Sequence, residues 1–284
     1  IAGMAMVRDL YSGTKMASIM SLAMIIFGLV PAVAPLIGQA INNAFGWHSI
    51  FIAMAALGVV LSIWFGLRQP ESHPVEARRP MRIGTLWDAT KMAFSNRVFR
   101  YSVAVLTCLY GALFTQISLI QPIFETYYDK AESFPLWFGA IALLTMSSSV
   151  INAKIVGRLG MRKIIQSVLI VQIILASTVT LVQLTTGTLP FWMFFIWATS
   201  VMFVVGFTFG NLNALSMEPM GKIAGLAASI SGSICTVLAA FISIGVSLVF
   251  DGTPLALTIG VLACATSGFI LMRLLGPRRA TDES

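Results

Sequence analysis

The chain has 284 residues, of which 57% are hydrophobic and 10% charged, and its mean hydropathy is +0.89. A water-soluble domain carries about 25% charged residues, so this composition excludes a soluble globule. Low polarity and only three cysteines also exclude a disordered chain and a disulfide scaffold. The net charge of +7 is read as loop charge at a membrane face, and no nucleic-acid partner is expected.

Lipid is then the solvent, and a helix needs about 20 apolar residues to cross it. Ile1 to Val7 is an apolar run closed by Arg8-Asp9. It reads as the inner end of a helix that begins upstream, so the chain is expected to be truncated. Residues 16–67 lack Asp, Glu, Lys and Arg and hold two spans, divided at the polar Asn42–His48 segment. Residues 68–100 form a long connection, polar and Pro-rich as far as Pro80. Its second part, Thr85 to Phe94, reads as a short amphipathic helix in the membrane interface or as a solvated linker.

Charge-free windows continue at 101–124 and 133–153, one span each, and at 164–217, which holds two. The break in the last falls at Thr185–Pro190, with Pro190 able to open the next helix. Windows 223–250 and 252–272 add one span each, giving eight. Backbone groups find no partner in lipid, so the spans must be helices or a closed barrel. Runs such as Val168-Leu169-Ile170-Val171 do not alternate as barrel strands do. The fold class is therefore all-α, a polytopic bundle of about eight transmembrane helices. Four parts are expected: residues 1–67, the connecting segment 68–100, a six-span part 101–275 and a tail 276–284.

Alternating the loops puts 17 of the 18 Lys and Arg residues on one side, with Lys130 alone on the other. That asymmetry places both ends of the chain in the cytoplasm. His48 and His73 fall on opposite faces, so no metal site joins them. Cys108, Cys235 and Cys264 lie inside spans and read as packing residues. Trp47, Trp64, Trp87, Trp192 and Trp197 read mostly as interfacial anchors.

Three local patterns carry a resemblance. Arg8-Asp9-Leu10-Tyr11 precedes a span containing Gly28-Leu29-Val30-Pro31-Ala32-Val33-Ala34-Pro35-Leu36-Ile37-Gly38. This resembles the antiporter motif in helix 5 of proton-coupled drug antiporters of the major facilitator superfamily. Gly157-Arg158-Leu159-Gly160-Met161-Arg162-Lys163 is similar to that superfamily's basic loop motif between helices 8 and 9, without its usual Asp. Ala214 to Gly221, with Glu218-Pro219, resembles the helix 10–11 junction of the Bcr/CflA drug-resistance branch. The resemblance implies helices 5 to 12 of a twelve-helix bacterial inner-membrane transporter with two halves about a central site. It implies small-molecule substrates, protons as coupling ion, no cofactor and no enzymatic activity.

Candidate residues follow. Gly28, Pro31, Pro35 and Gly38 fit a hinge and proton seal, or an ordinary kink. Tyr110, Phe114, Gln121 and Glu125 share a helical stripe that fits a loose cavity for amphipathic compounds, with Glu125 at the outer mouth; packing between helices fits as well. Pro122 is expected to bend this helix. Asn211 is favoured over Asn213 to face the cavity, and Gly206 with Gly210 to pack closely. Ala224, Ala228, Gly232, Thr236 and Ala240 form a small-residue ridge for a static or a moving contact. Glu218 fits an inward gate or a capping role.

No Asp, Glu, Lys or Arg lies deep in any span, so a titrating coupling residue is expected outside this sequence. A proton-driven exporter of drug-like compounds working by alternating access is the leading reading. A metabolite or sugar carrier of the same fold is the runner-up. An intramembrane enzyme lacks a Ser/His pair or metal constellation, and a sensor lacks an appended soluble domain.

Overall fold

The computed structural model describes residue 30, residues 33–68 and residues 83–276. Arg8, Asp9, Gly28 and Pro31, and most of the first expected span, lie outside the described residues. Those described are almost wholly helical. The first helix, α1, covers residues 33–45 and stops where Gly46 takes φ +80°, its N–H bonding Asn42 O at 2.8 Å. The polar break read at Asn42–His48 is thus a turn. Helix α2 follows over His48–Arg68.

Helix α3 is Ile83–Ser95 and α4 is Arg97–Thr126. Asn96 caps α4, its Oδ1 accepting from Phe99 N at 3.2 Å. Helix α5 spans Phe134–Leu159 and α6 spans Met161–Thr186. Only Gly160 separates them, at φ +78°, a backbone geometry that a side chain resists. Gly187 closes α6 in the left-handed conformation, and Pro190 caps α7, Phe191–Met217, as its missing N–H allows. A 3₁₀ turn over Glu218–Ile223 leads to α8, Ala224–Ser247, and α9 is Leu255–Leu275. Seven of these helices, α2 and α4 to α9, are long and apolar enough to cross a membrane. The chain is an all-α, multi-pass membrane protein.

Two compact units are present, Ile1–Met81 with Pro135–Leu143, and Arg82–Phe134 with Leu144–Ser284. In the first, α2 has no buried residue. In the second, α4 is central and packs on α7, α8 and α9, while α6 packs on α7 and α9. The α4 core side chains Phe99, Val105, Leu106, Ile120 and Ile123 are fully or almost fully buried. Short α3 lies against α4 and α8 through buried Ala93 and an edge-on Phe94–Phe99 pair at 5.3 Å, leaving Trp87 and Met92 exposed.

Small residues set the close crossings. A methyl group at Gly111 would lie 2.9 Å from Ile242 Cδ1, and one at Gly260 would lie 2.9 Å from Val246 Cγ1. One at Gly206 would run into the Ser148 hydroxyl, so α7 and α5 meet there. Gly210 faces open space and takes no part in that crossing.

The expected ridge on α8 is not the face that packs on α4. The buried positions are Ala227, Ser231, Cys235, Ala239 and Ser243, one residue behind the expected set, while Ala228, Gly232 and Thr236 are exposed. The buried stripe bonds to α4. Cys235 Sγ reaches Val103 O at 3.5 Å, and the Ser118 and Ser243 hydroxyls lie 3.2 Å apart. Both stripes are small enough to admit a neighbour, so residue size alone does not choose between them.

Trp197 departs from the expected anchors, being 2% exposed, whereas Trp47, Trp64, Trp87 and Trp192 are exposed.

Candidate substrate pathway

The ends of the second unit differ in charge. At one end, Arg97 donates to Leu274 O and Arg162 donates to Gly276 O at 3.0 Å. Gln166 adds a bond to Met272 O at 3.4 Å. Leu274 O and Met272 O are among the last carbonyls of α9, which have no partner within their helix and carry its negative dipole end, and Gly276 caps it. Arg158 and Gly157 are exposed at the same end, and Glu218 opens the 3₁₀ turn there. The opposite end carries Glu125, Asp129, Glu132 and Asp251. Asp251 accepts from the Thr253 hydroxyl at 2.7 Å and from Thr253 N at 3.0 Å. These bonds, the hydroxyl first, hold the Asp251 carboxyl below the usual carboxylate range.

Between the ends runs the expected face of α4. Tyr110 and Phe114 are half-buried, with ring centroids 6.1 Å apart and planes nearly perpendicular. Tyr110 also meets Phe209 of α7 at 4.5 Å. No pattern in the sequence singles out Phe209, because no spacing rule links positions on separate helices. Farther along α4, Gln121 and Glu125 are exposed on the same side. Eleven residues separate Tyr110 from Gln121, about 16 Å of helix. The four residues form one elongated face, aromatic in mid-helix and polar toward the acidic end. Pro122 sits inside the continuous helix, where its missing N–H leaves Ser118 O without its backbone donor, and the Thr126 hydroxyl donates to Pro122 O at 2.8 Å.

Asn211 stands apart from this face. It is 5% exposed, and its Nδ2 donates to Asn152 Oδ1 at 2.9 Å and to Phe207 O at 2.8 Å. Its amide therefore ties α7 to α5. Asn213 is exposed. Pro35 and Gly38 lie in α1, both partly exposed, and a methyl group at Gly38 would meet nothing within 4 Å. Three-residue groupings of His, Cys, Asp and Glu suited to a metal are absent among the described residues.

Comparison with known proteins bears on this arrangement. Residues 1–244 match the Major Facilitator Superfamily. The chain is 28% identical over 245 residues to the Bacillus subtilis protein named Uncharacterized MFS-type transporter YdgK, covering 84% of this chain and 60% of that one. It is 26% identical to the Bicyclomycin resistance protein homolog of Haemophilus influenzae, over 90% of this chain and 65% of the relative. Multidrug resistance protein MdtL of Salmonella heidelberg is 25% identical over all of this chain and 70% of its own length. The chain thus spans about three fifths to two thirds of the length of the first two relatives. Taken with the helical bundle and its charge-segregated ends, the match over residues 1–244 establishes that the chain belongs to the Major Facilitator Superfamily.

Proposed function

We propose that this chain serves a proton-driven exporter of amphipathic, drug-like compounds. The observation that carries the reading is the α4–α7 aromatic face, Tyr110, Phe114 and Phe209, running on to exposed Gln121. Aromatic walls with one hydrogen-bonding amide accept varied apolar shapes and do not demand a single charge pattern. A sugar or metabolite carrier needs a dense polar lining, and this face supplies one amide and one terminal carboxylate. The relatives named for bicyclomycin and multidrug resistance point the same way.

In this reading the protein lies in the bacterial inner membrane, with the Arg97–Arg162 end in the cytoplasm, a placement the one-sided Lys and Arg distribution supports. Residues 68–100 join the two halves, and residues 101–275 form the second half. Alternating access moves one half against the other. The exposed small residues of α8, Ala228, Gly232 and Thr236, provide a smooth contact surface. Glu125 draws cationic compounds to the outer mouth. Pro35 and Gly38 belong to the seal against proton leak that the resemblance gives to Gly28, Pro31, Pro35 and Gly38. The described spans hold no Asp, Glu, Lys or Arg at mid-depth, and in this reading the coupling carboxylate belongs to segments beyond those described.

The test is export of a fluorescent amphipathic cation from cells carrying the full-length protein. Tyr110→Ala and Phe209→Ala are expected to slow export with membrane levels unchanged. Export at the normal rate in both variants would remove this face from the pathway. Reporters fused at Arg79 and at Asp251 separately check orientation, cytoplasmic for the first and external for the second.

A further inference from the structure

A cavity of about 400 Å³ opens between α6 and α7, away from the α4 face. Its volume lies in the range of small-molecule sites. Val171, Ile196, Phe203 and Phe207 give it apolar walls, and Val171 and Ile196 are 55% and 66% exposed at its rim. The floor is different. Gln172, near the middle of the 26-residue α6, is 3% exposed and lines the cavity. Its Oε1 lies 3.1 Å from the Ser200 hydroxyl of α7, whose single proton has a closer acceptor in Trp197 O at 2.6 Å. The Gln172 Nε2 is buried without a hydrogen-bond partner. A buried amide N–H at the depth of the hydrocarbon core has no water to turn to, and leaving it unmade is costly.

We propose that this cavity is a second binding site, for an amphipathic molecule with an apolar body and one carbonyl-type acceptor that takes the Gln172 N–H. The walls fit the body, and the unpaired donor sets the need for an acceptor. A lipid acyl chain satisfies the walls alone, since it carries no acceptor at this depth. The molecule enters from the side, between Val171 and Ile196. The site does not depend on the export reading, and binding is measured without transport.

The test uses the full-length protein in lipid nanodiscs and two photoactivatable probes. One is a diazirine-bearing N-alkylbenzamide; the other is the matching alkylbenzene with no carbonyl. The benzamide is expected to label the peptide containing residues 196–207 saturably, with apparent affinity about tenfold above the alkylbenzene, the scale of one buried donor left unmade. Gln172→Leu is expected to bring the benzamide down to the alkylbenzene level, and Ser200→Trp, which fills the cavity, to abolish both. Equal labelling by the two probes, unaffected by Gln172→Leu, would reduce the cavity to an acyl-chain groove and overturn the proposal. No labelling of α6 or α7 in the unaltered protein would mean that another segment covers the cavity, and would overturn it equally. If Gln172→Leu fails to fold, the comparison of the two probes on the unaltered protein decides.

Discussion

Asn211 on α7 donates to Asn152 on α5 at 2.9 Å, one amide pair holding two helices that otherwise meet closely at Gly206 and Ser148. Asparagine in a lipid-embedded helix must find a partner, and here the partner is another asparagine. Bonds of this kind contribute about 0.6 kcal/mol on average in membranes, with about 1.7 as an upper figure. Asn152→Leu and Asn211→Leu are each expected to lower the melting temperature of the purified protein. The double variant is expected to fall less than the sum of the two. Strict additivity in the thermal scans would show that the pair is not coupled.

Gly206 and Gly210 separate close packing from mere smallness. A side chain at 206 would strike the Ser148 hydroxyl and lie 3.1 Å from the Ser149 backbone nitrogen, whereas 210 faces open space. Gly206→Leu should therefore destabilise the protein, on the scale of ~1–3 kcal/mol for an overpacked site. Gly210→Ala should be neutral, or slightly stabilising through helix propensity. Detergent-solubilised melting curves check both, and equal effects at the two positions would count against the α5–α7 crossing.

Tyr110 and Phe209 touch across α4 and α7 with ring centroids 4.5 Å apart. Aromatic pairs contribute about 0.5–1.5 kcal/mol beyond the area they bury. Removing either ring should weaken binding of an aromatic amphipathic ligand by roughly three- to tenfold on that scale. Direct binding by fluorescence polarisation measures it. Gln121→Leu is expected to change which ligands are preferred more than how tightly the apolar ones bind.

Asp251 lies in the turn between α8 and α9, and its bonds to Thr253 favour the charged form. A carboxyl whose pKa is lowered on folding adds stability above its unfolded value, about 3.9. That stability is lost as pH falls through the lower folded value. Thr253→Val removes the hydroxyl donor, so the Asp251 pKa should rise toward the ordinary carboxylate value. Titration followed by carboxyl-carbon NMR of labelled protein reads the shift. The group is exposed, so the effect on global stability is small.

Much of the architecture is legible in the residues themselves. Lys and Arg cannot sit in hydrocarbon, so charge-free windows mark the helices. Gly46, Gly160 and Gly187 mark turns because the chain there needs positive φ. Thr85 to Phe94 reads as helical from its periodicity and is observed within Ile83–Ser95. What the residues leave open is rotation about helix axes. The stripe of α8 that packs on α4 lies one residue from the expected ridge, Asn211 binds Asn152, and Trp197 is buried although it resembles an anchor. Phe209, Asn152 and Gln172 gain their meaning only from partners on other helices, which no local pattern specifies. Lipid sharpens this gap, because the outward and inward faces of a membrane helix are equally apolar.

The most direct test of the central claim is uptake of a fluorescent amphipathic cation into inverted inner-membrane vesicles containing the full-length protein, with an imposed pH gradient, acidic inside. The account expects accumulation that collapses on adding a protonophore and slows in Tyr110→Ala. Absence of accumulation, or accumulation indifferent to the protonophore, would contradict it.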